Sequence, residues 1–357
     1  MKKIYSLIIT LILMSAALGV SAQNNNSSGG GSGFSQLIQS SPADATKLLQ
    51  NFAEPLFKGF GIGLNSGWNN TAKPKKFLHF DIRVTANVAQ VPTSAQTFDV
   101  TAIGLSNHLA VDPASPTKLA PTFGGSTSGA TPLMDIKDDN GNKIGSFSMP
   151  NGVTQYVPAP NVQFTLGIGL NTDVTLRTTP TINIGSNSGS VSMTGFGIKH
   201  DIIQDFAKKG TPKPFDLAVA VNYNRINYNV PLTVNPSSGT APAPGSQTDF
   251  SNQHIQGTFS GTNVQAIISK RLLFFTPFLS VGYQTASTDF AALGNYPISS
   301  TQGFYTSVSN PVHITENSIN GMRTDIGFQL NLLIFRIYAS YSPGQYQSVN
   351  GGIGLGF

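Results

Sequence analysis

Eight side chains hold most of the chemistry this chain offers: His79, Asp81, Arg83, Arg177, Asp216, Arg323, Asp325 and Arg336. Each falls on the polar phase of a stretch whose alternate residues are apolar. Charges of both signs on one face of such strands can do two things. They can pair and fill an interior, because unpaired charge at membrane depth is costly. Or they can line a path for a polar solute.

Catalytic constellations are weaker. The histidines His79, His108, His200, His254 and His313 sit in no serine-hydrolase motif and lack the spacing of a metal cluster. The acidic run 135–142 (DIKDDNGN) lacks the spacing and terminal Glu of an EF-hand and reads as a hairpin turn. Gly59-Phe60-Gly61-Ile62-Gly63 neither follows a strand nor opens a helix with a downstream lysine, so it is no nucleotide loop. The chain has no cysteine, which removes disulfides, thiolate metal sites and a lipid anchor. No catalytic residue, cofactor or metal is expected.

The elements that must position these groups are strands. Leu78, Phe80, Ile82, Val84, Ala86 and Val88 alternate with His79, Asp81, Arg83, Thr85 and Asn87. The same period of two recurs over 162–170, 215–224, 322–331 and 334–341, with weaker stretches near 97–106, 130–137, 142–149, 173–185, 190–202, 254–260, 262–270, 276–286 and 303–317. Apolar-out, polar-in strands of about ten residues define a transmembrane β-barrel. Gly195 and Gly197 interrupt one of them and suggest a bulge or a bend. The chain ends on Phe357, the last apolar position of an alternating stretch. A terminal aromatic fits a closing strand and the signal read by the barrel-assembly machinery.

Composition agrees. Charged residues are 10% of the chain, against about 25% in an ordinary soluble domain. Residues 1–22 have a basic start, an apolar run and a Val20-Ser21-Ala22 cleavage site, the pattern of a secretory signal peptide. Losing Lys2 and Lys3 with it takes Lys+Arg from 21 to 19 against 16 Asp+Glu, a net charge of +3. No basic cluster points to nucleic acid. Beyond residue 22 no apolar run approaches the ~20 residues of a membrane helix.

Residues 23–33 have linker composition. Ser41, Pro42 and Asp44 mark a helix start, and Pro55 is expected to end or kink the helix near Glu54. The segment 34–63 is then a plug, a rim-packed helix or a helix at the membrane surface, and 64–357 the barrel. At about 24 residues per strand and turn, 335 residues allow 12–14 strands, with 14 favoured. The polar stretches 106–131, 231–253 and 285–310 would be the extracellular loops.

Two stretches, 59–81 (GFGIGLNSGWNNTAKPKKFLHFD) and 195–217 (GFGIKHDIIQDFAKKGTPKPFDL), together with the terminal strand, resemble an uncharacterised outer-membrane barrel family known only as a domain of unknown function. The resemblance implies a barrel and no established activity. A looser resemblance, a helix followed by a Gly-rich segment, is to the long-chain fatty-acid and hydrocarbon transporter barrels, which have 14 strands and an N-terminal hatch. The expectation is an all-β protein of a Gram-negative outer membrane. It would touch membrane lipid and the assembly machinery, and would act as a porin-like passive channel for a small solute, a hydrophobic one included. A barrel that binds partners through its loops comes second, and a barrel hydrolase third.

Overall fold

The computed structural model describes residues 41–185, 189–206 and 213–357. The signal peptide and linker expected at the N-terminus lie outside these residues.

Ten strands close into an antiparallel barrel. They are β1 (Phe80–Gln90), β2 (Tyr156–Gly169), β3 (Thr172–Gly185), β4 (Gly189–Asp201), β5 (Asp216–Pro231), β6 (His254–Ser269), β7 (Phe275–Leu293), β8 (Val312–Leu332), β9 (Phe335–Ser342) and β10 (Ser348–Gly356). Each pairs with its sequence neighbours, and β10 closes on β1 from Asp81↔Gly356 to Ala89↔Ser348. Phe357 extends this seam. Its N–H donates to Phe80 O at 3.0 Å, Phe80 N–H donates back at 3.2 Å, and the rings lie 5.5 Å apart.

The count of 12–14 strands is therefore corrected to ten. Three causes explain the excess. Eight of the ten strands are longer than ten residues, reaching 21 in β8. The stretches 254–260 and 262–270 are one strand, β6. The stretches 97–106, 130–137 and 142–149, and the first part of 303–317, supply short strands of small sheets at one end of the barrel. Those sheets are Thr97–Asp99 with Leu119–Pro121; Leu109–Val111 with Leu133–Lys137 and Lys143–Ser148; and Ala241–Pro242 with Asn295–Thr301 and Phe304–Ser309. The turn Asp138–Asn142 joins the second sheet's hairpin, as its composition suggests. This end is the loop end. The opposite, turn end has tight connections, such as Leu170-Asn171 with both residues at positive φ and Leu333 at φ 57°.

The alternation places side chains as expected. Ile82, Phe164, Val219, Val264, Leu279, Ile326 and Ile353 face out, and Asp81, Gln163, Asn222, Asn263, Asp325 and Asn350 are buried inside. The expected bulge at Gly195 and Gly197 is absent, because the β4–β5 register runs unbroken from Ser190 to Asp201. Those glycines instead leave room inside. A Cβ on Gly197 would meet the Trp68 ring at 3.1 Å.

The helix α1 (Pro42–Asn65) runs down the lumen. Ser41 caps it, its Oγ accepting from Asp44 N–H at 3.3 Å. The expectation that Pro55 ends it is corrected: the helix continues for ten residues beyond. A proline inside a helix costs about 3 kcal/mol. Burying Leu48, Leu49, Phe57, Phe60 and Leu64 offers about 1.5–3 kcal/mol each. Packing wins by a wide margin, so the helix is dictated by the cavity around it.

A ten-stranded barrel is slightly wider than an eight-stranded one, whose interior side chains alone fill. A helix about 10–12 Å across fits only if its faces are small. Gly59 and Gly63 lie against Val157 and Ala159 of β2, where an added Cβ would come to 2.5 and 2.3 Å. Gly61, on the other side, lies against Ala286 and Ile319, at 2.7 and 2.8 Å. The helix is thus clamped between two opposite walls.

Candidate functional site

The lumen is filled from the loop end toward the turn end by residues 42–75. At the loop end Asp44 accepts from Ser106 N–H at 2.8 Å, Lys47 bonds Gly104 O, and Phe52 meets Phe123 edge-on. Phe57 and Phe60 then pack on Phe259, with ring centroids 5.9 and 5.3 Å away.

The helix ends in mid-lumen among arginines. Arg177 is fully buried and donates to Leu64 O at 3.0 Å, Ser66 O at 2.7 Å and Gln163 Oε1 at 3.1 Å. Its guanidinium stacks on Trp68 at 3.7 Å. Arg323 pairs with Asp325 at 2.7 Å and donates to Ile62 O and Ser66 Oγ. Two cations from opposite walls therefore hold the carbonyl end of α1, where the helix dipole is negative. Arg177 has no carboxylate partner among the described residues. The helix carbonyls and the Trp68 face offset its charge instead.

Below this, the chain after the helix descends to the turn end. Asp81 gathers Lys75 at 3.2 Å, Arg83 at 2.8 Å, Arg336 and the Tyr338 hydroxyl. Asp173 pairs with Lys199 at 3.2 Å, and Lys199 also donates to Thr71 O. Around these groups Thr85, Asn87, Asn222, Asn224 and Asn263 each keep a buried side-chain atom without a protein partner. Buried polar atoms of this kind are the lining that water occupies.

Of the eight sequence-derived lumen residues, Asp81, Arg83, Arg177, Arg323, Asp325 and Arg336 are brought inside, in two clusters around Asp81 and Asp325 and at the lone Arg177. His79 is not: it precedes β1, in an exposed turn. Its alternation with Phe80 and Leu78 misleads because Leu78 takes φ 59° and breaks the strand. Asp216 lies half-buried at the turn end of β5, away from both clusters. Sequence reasoning passed over Lys75, Trp68, Asp173, Lys199 and Tyr338. Trp68 is the single tryptophan of the chain, and the others sit on inward phase or in the segment that runs between helix and barrel.

Among the described residues no group of three or more His, Asp or Glu is placed to hold a metal ion. His200 bonds Thr172 Oγ1 and Asp205 Oδ2, each at 2.8 Å, but on the outward, partly exposed side of the turn end.

This geometry defines a membrane-type barrel with an internal plug. The chain belongs to a family of unknown function, DUF6588, whose model matches residues 1–357. No curated protein matches it. Among solved structures it is similar to the translocator domain of autotransporter NalP from Neisseria meningitidis, at 12% identity and TM-score 0.28, covering 84% of this chain and 92% of that one. It is similar to the outer membrane protease OmpT from Escherichia coli, at 8% identity and TM-score 0.28, covering 82% and 100%. It is also similar to the Ralstonia pickettii toluene transporter TbuX, at 8% identity and TM-score 0.23, covering 80% and 90%.

Proposed function

We propose that this protein is a non-enzymatic outer-membrane channel, closed by its own N-terminal segment, that passes a small solute when the segment is displaced. The supporting observation is the mid-lumen contact. A helix held by Arg177 and Arg323 rests on wall residues that keep unpartnered polar atoms, the lining of a wet passage rather than of a dry core. The turn end faces the periplasm and the loop end the exterior, as short and long connections are arranged in such barrels. Membrane lipid surrounds the wall, and Phe357 is the residue read by the assembly machinery. No energy-coupling motif is present, so passage is by diffusion.

The test is uptake of small sugars and aromatic hydrocarbons by reconstituted liposomes. The intact protein is expected to be tight. A variant lacking 42–65 is expected to leak while keeping the heat-modifiable mobility of a folded barrel. A folded, tight deletion variant refutes the proposal.

A second reading has its own observation. The loop end is built as a folded crown, with Leu109, Met134, Phe147 and Tyr296 buried in it. A crown of this kind suits a barrel that binds partners outside the cell. Cell binding lost on exchange of 109–148, with liposome tightness unchanged in every variant, would favour it.

A further inference from the structure

The closed barrel has a wall of unequal height. Strand β8 pairs with β7 along nearly its whole length, from Val312 to Leu330. It pairs with β9 only from Ile326 to Leu332, because β9 stops at Ser342. Among the described residues the stretch 312–324 therefore has no strand on that flank. A closed barrel exists to remove such edges. Within this stretch the β7–β8 register also shifts, between Ala286↔Ile319 and Thr288↔Glu316, a bulge seven residues beyond the last β9 pair at Ile326. A bulge bends the strand that carries it.

A pocket of about 260 Å³ opens at this discontinuity, between β8, the β9–β10 turn and the flank of α1. Its apolar surface comes from Ile62, Ile319 and Met322. Its polar surface is rich in donors. Lys58 lines it, as does Arg323, whose donors are already held by Asp325, Ser66 and Ser342, and no carboxylate is in the lining. Tyr346 is only 6% exposed, lines the same pocket, and its buried hydroxyl has no partner. Lys58 spends one contact on Glu54 and retains further N–H donors. The mouth is on the outward face of the wall. Met322 is 71% exposed and lies directly across from Tyr283, which faces outward at the same height.

We propose that this pocket binds a small amphiphile carrying a carboxylate, its head at Lys58 and Tyr346 and its apolar part along Ile319 and Met322, entering from the membrane side. The donor set without a carboxylate fits an anionic acceptor. An unpartnered buried hydroxyl gains most from such a ligand. The volume, below the ~300 Å³ at which drug-sized sites begin, restricts it to a short chain. The site does not require the plug to move, so it stands or falls apart from the channel proposal.

The test is equilibrium dialysis of labelled octanoate and 1-octanol against the full-length protein in zwitterionic nanodiscs, with empty nanodiscs as the blank. Octanoate is expected to bind saturably, one per barrel, and more tightly than 1-octanol. Lys58→Gln is expected to weaken octanoate about tenfold and leave 1-octanol unchanged. A Cβ at Gly321 meets nothing within 4 Å, so Gly321→Phe is expected to fill the pocket and abolish saturable binding in a folded barrel. Should that variant not fold, Tyr346→Phe serves in its place, with at least a severalfold loss expected. Octanoate uptake that is non-saturable, equal in the variants, or no tighter than 1-octanol overturns the proposal.

Discussion

The clamp on α1 predicts that its glycines cannot carry side chains, and the sign of the effect is informative. In a free helix, Gly→Ala stabilises by about 1 kcal/mol. Here a Cβ at Gly63 would lie 2.3 Å from Ala159 Cβ. A comfortable carbon–carbon contact is ~3.6 Å, so the helix or the wall must retreat by about 1.3 Å, the difference between the two. Retreat from β2 drives Gly61 toward Ala286 and Ile319, where the space is already spent. Overpacking of this kind costs about 1–3 kcal/mol per site. Gly63→Ala is thus expected to be neutral to about 2 kcal/mol destabilising. Gly59→Ala/Gly63→Ala together with Gly61→Leu is expected to expel the helix altogether. The assay pairs urea unfolding, followed by Trp68 fluorescence, with single-barrel conductance in planar bilayers. The triple variant should conduct and its tryptophan emission should shift red as the Arg177 stack opens. A triple variant that stays closed with blue-shifted Trp68, or a Gly63→Ala protein about 1 kcal/mol more stable than the parent, would refute the clamp.

Arg177→Met leaves Ser66 O and Gln163 Oε1 without their donor, while Leu64 O keeps the Trp68 Nε1–H; at about 1–3 kcal/mol for each buried orphan the loss should be about 2 kcal/mol or more, read as a lower midpoint in urea. Deleting Phe357 removes two seam hydrogen bonds and the Phe80 ring contact, and should reduce the folded fraction recovered from outer membranes, measured by heat-modifiable mobility. Undiminished recovery would show that the seam closes without it. In the crown, the Thr101 hydroxyl, with Lys118 beside it, holds the Asp99 carboxyl at about 2, below its ordinary value of 3.8. The folded value is the lower one, so this contact supports the crown fully above about pH 4 and is lost as the pH falls toward 2. Pepsin nicking within 91–155 should rise over that window in the parent and vary less in Asp99→Asn.

The barrel was legible because a lipid-facing wall leaves a strict imprint. Residues 80–88, 162–170 and 322–331 alternate with a period that lipid outside and polar groups inside impose. The same logic misjudged number and length. A crown strand such as Leu133–Lys137 sets Met134 and Ile136 against Asp135 and Lys137 in sequence, yet its three central residues are all buried, so a short run of period two does not by itself mark a membrane strand. The helix start at Ser41 was readable from local capping, a contact three residues long. Its end was not, because Pro55 and three glycines are poor helix residues that only a surrounding wall makes tolerable. The ion pairs were half legible. Inward phase exposes Asp81 and Arg336 as lumen residues, but that they meet across 255 positions is a property of barrel closure.

The direction of α1 bears on how the molecule is made. The helix begins beside Ser106 at the loop mouth, and the chain then leaves through the lumen toward the turn end, where β1 starts. A ring whose two ends join at Phe80 and Phe357 therefore encircles a piece of its own thread. Such a ring forms in only two ways: the seam closes around a segment already lying inside, or the segment is passed through a ring already sealed. With Gly59, Gly61 and Gly63 leaving no clearance, the first order avoids pushing a formed helix through a hole its own width. The last bond of the wall is then also the lock on the bolt, and barrel closure and plug insertion are a single event.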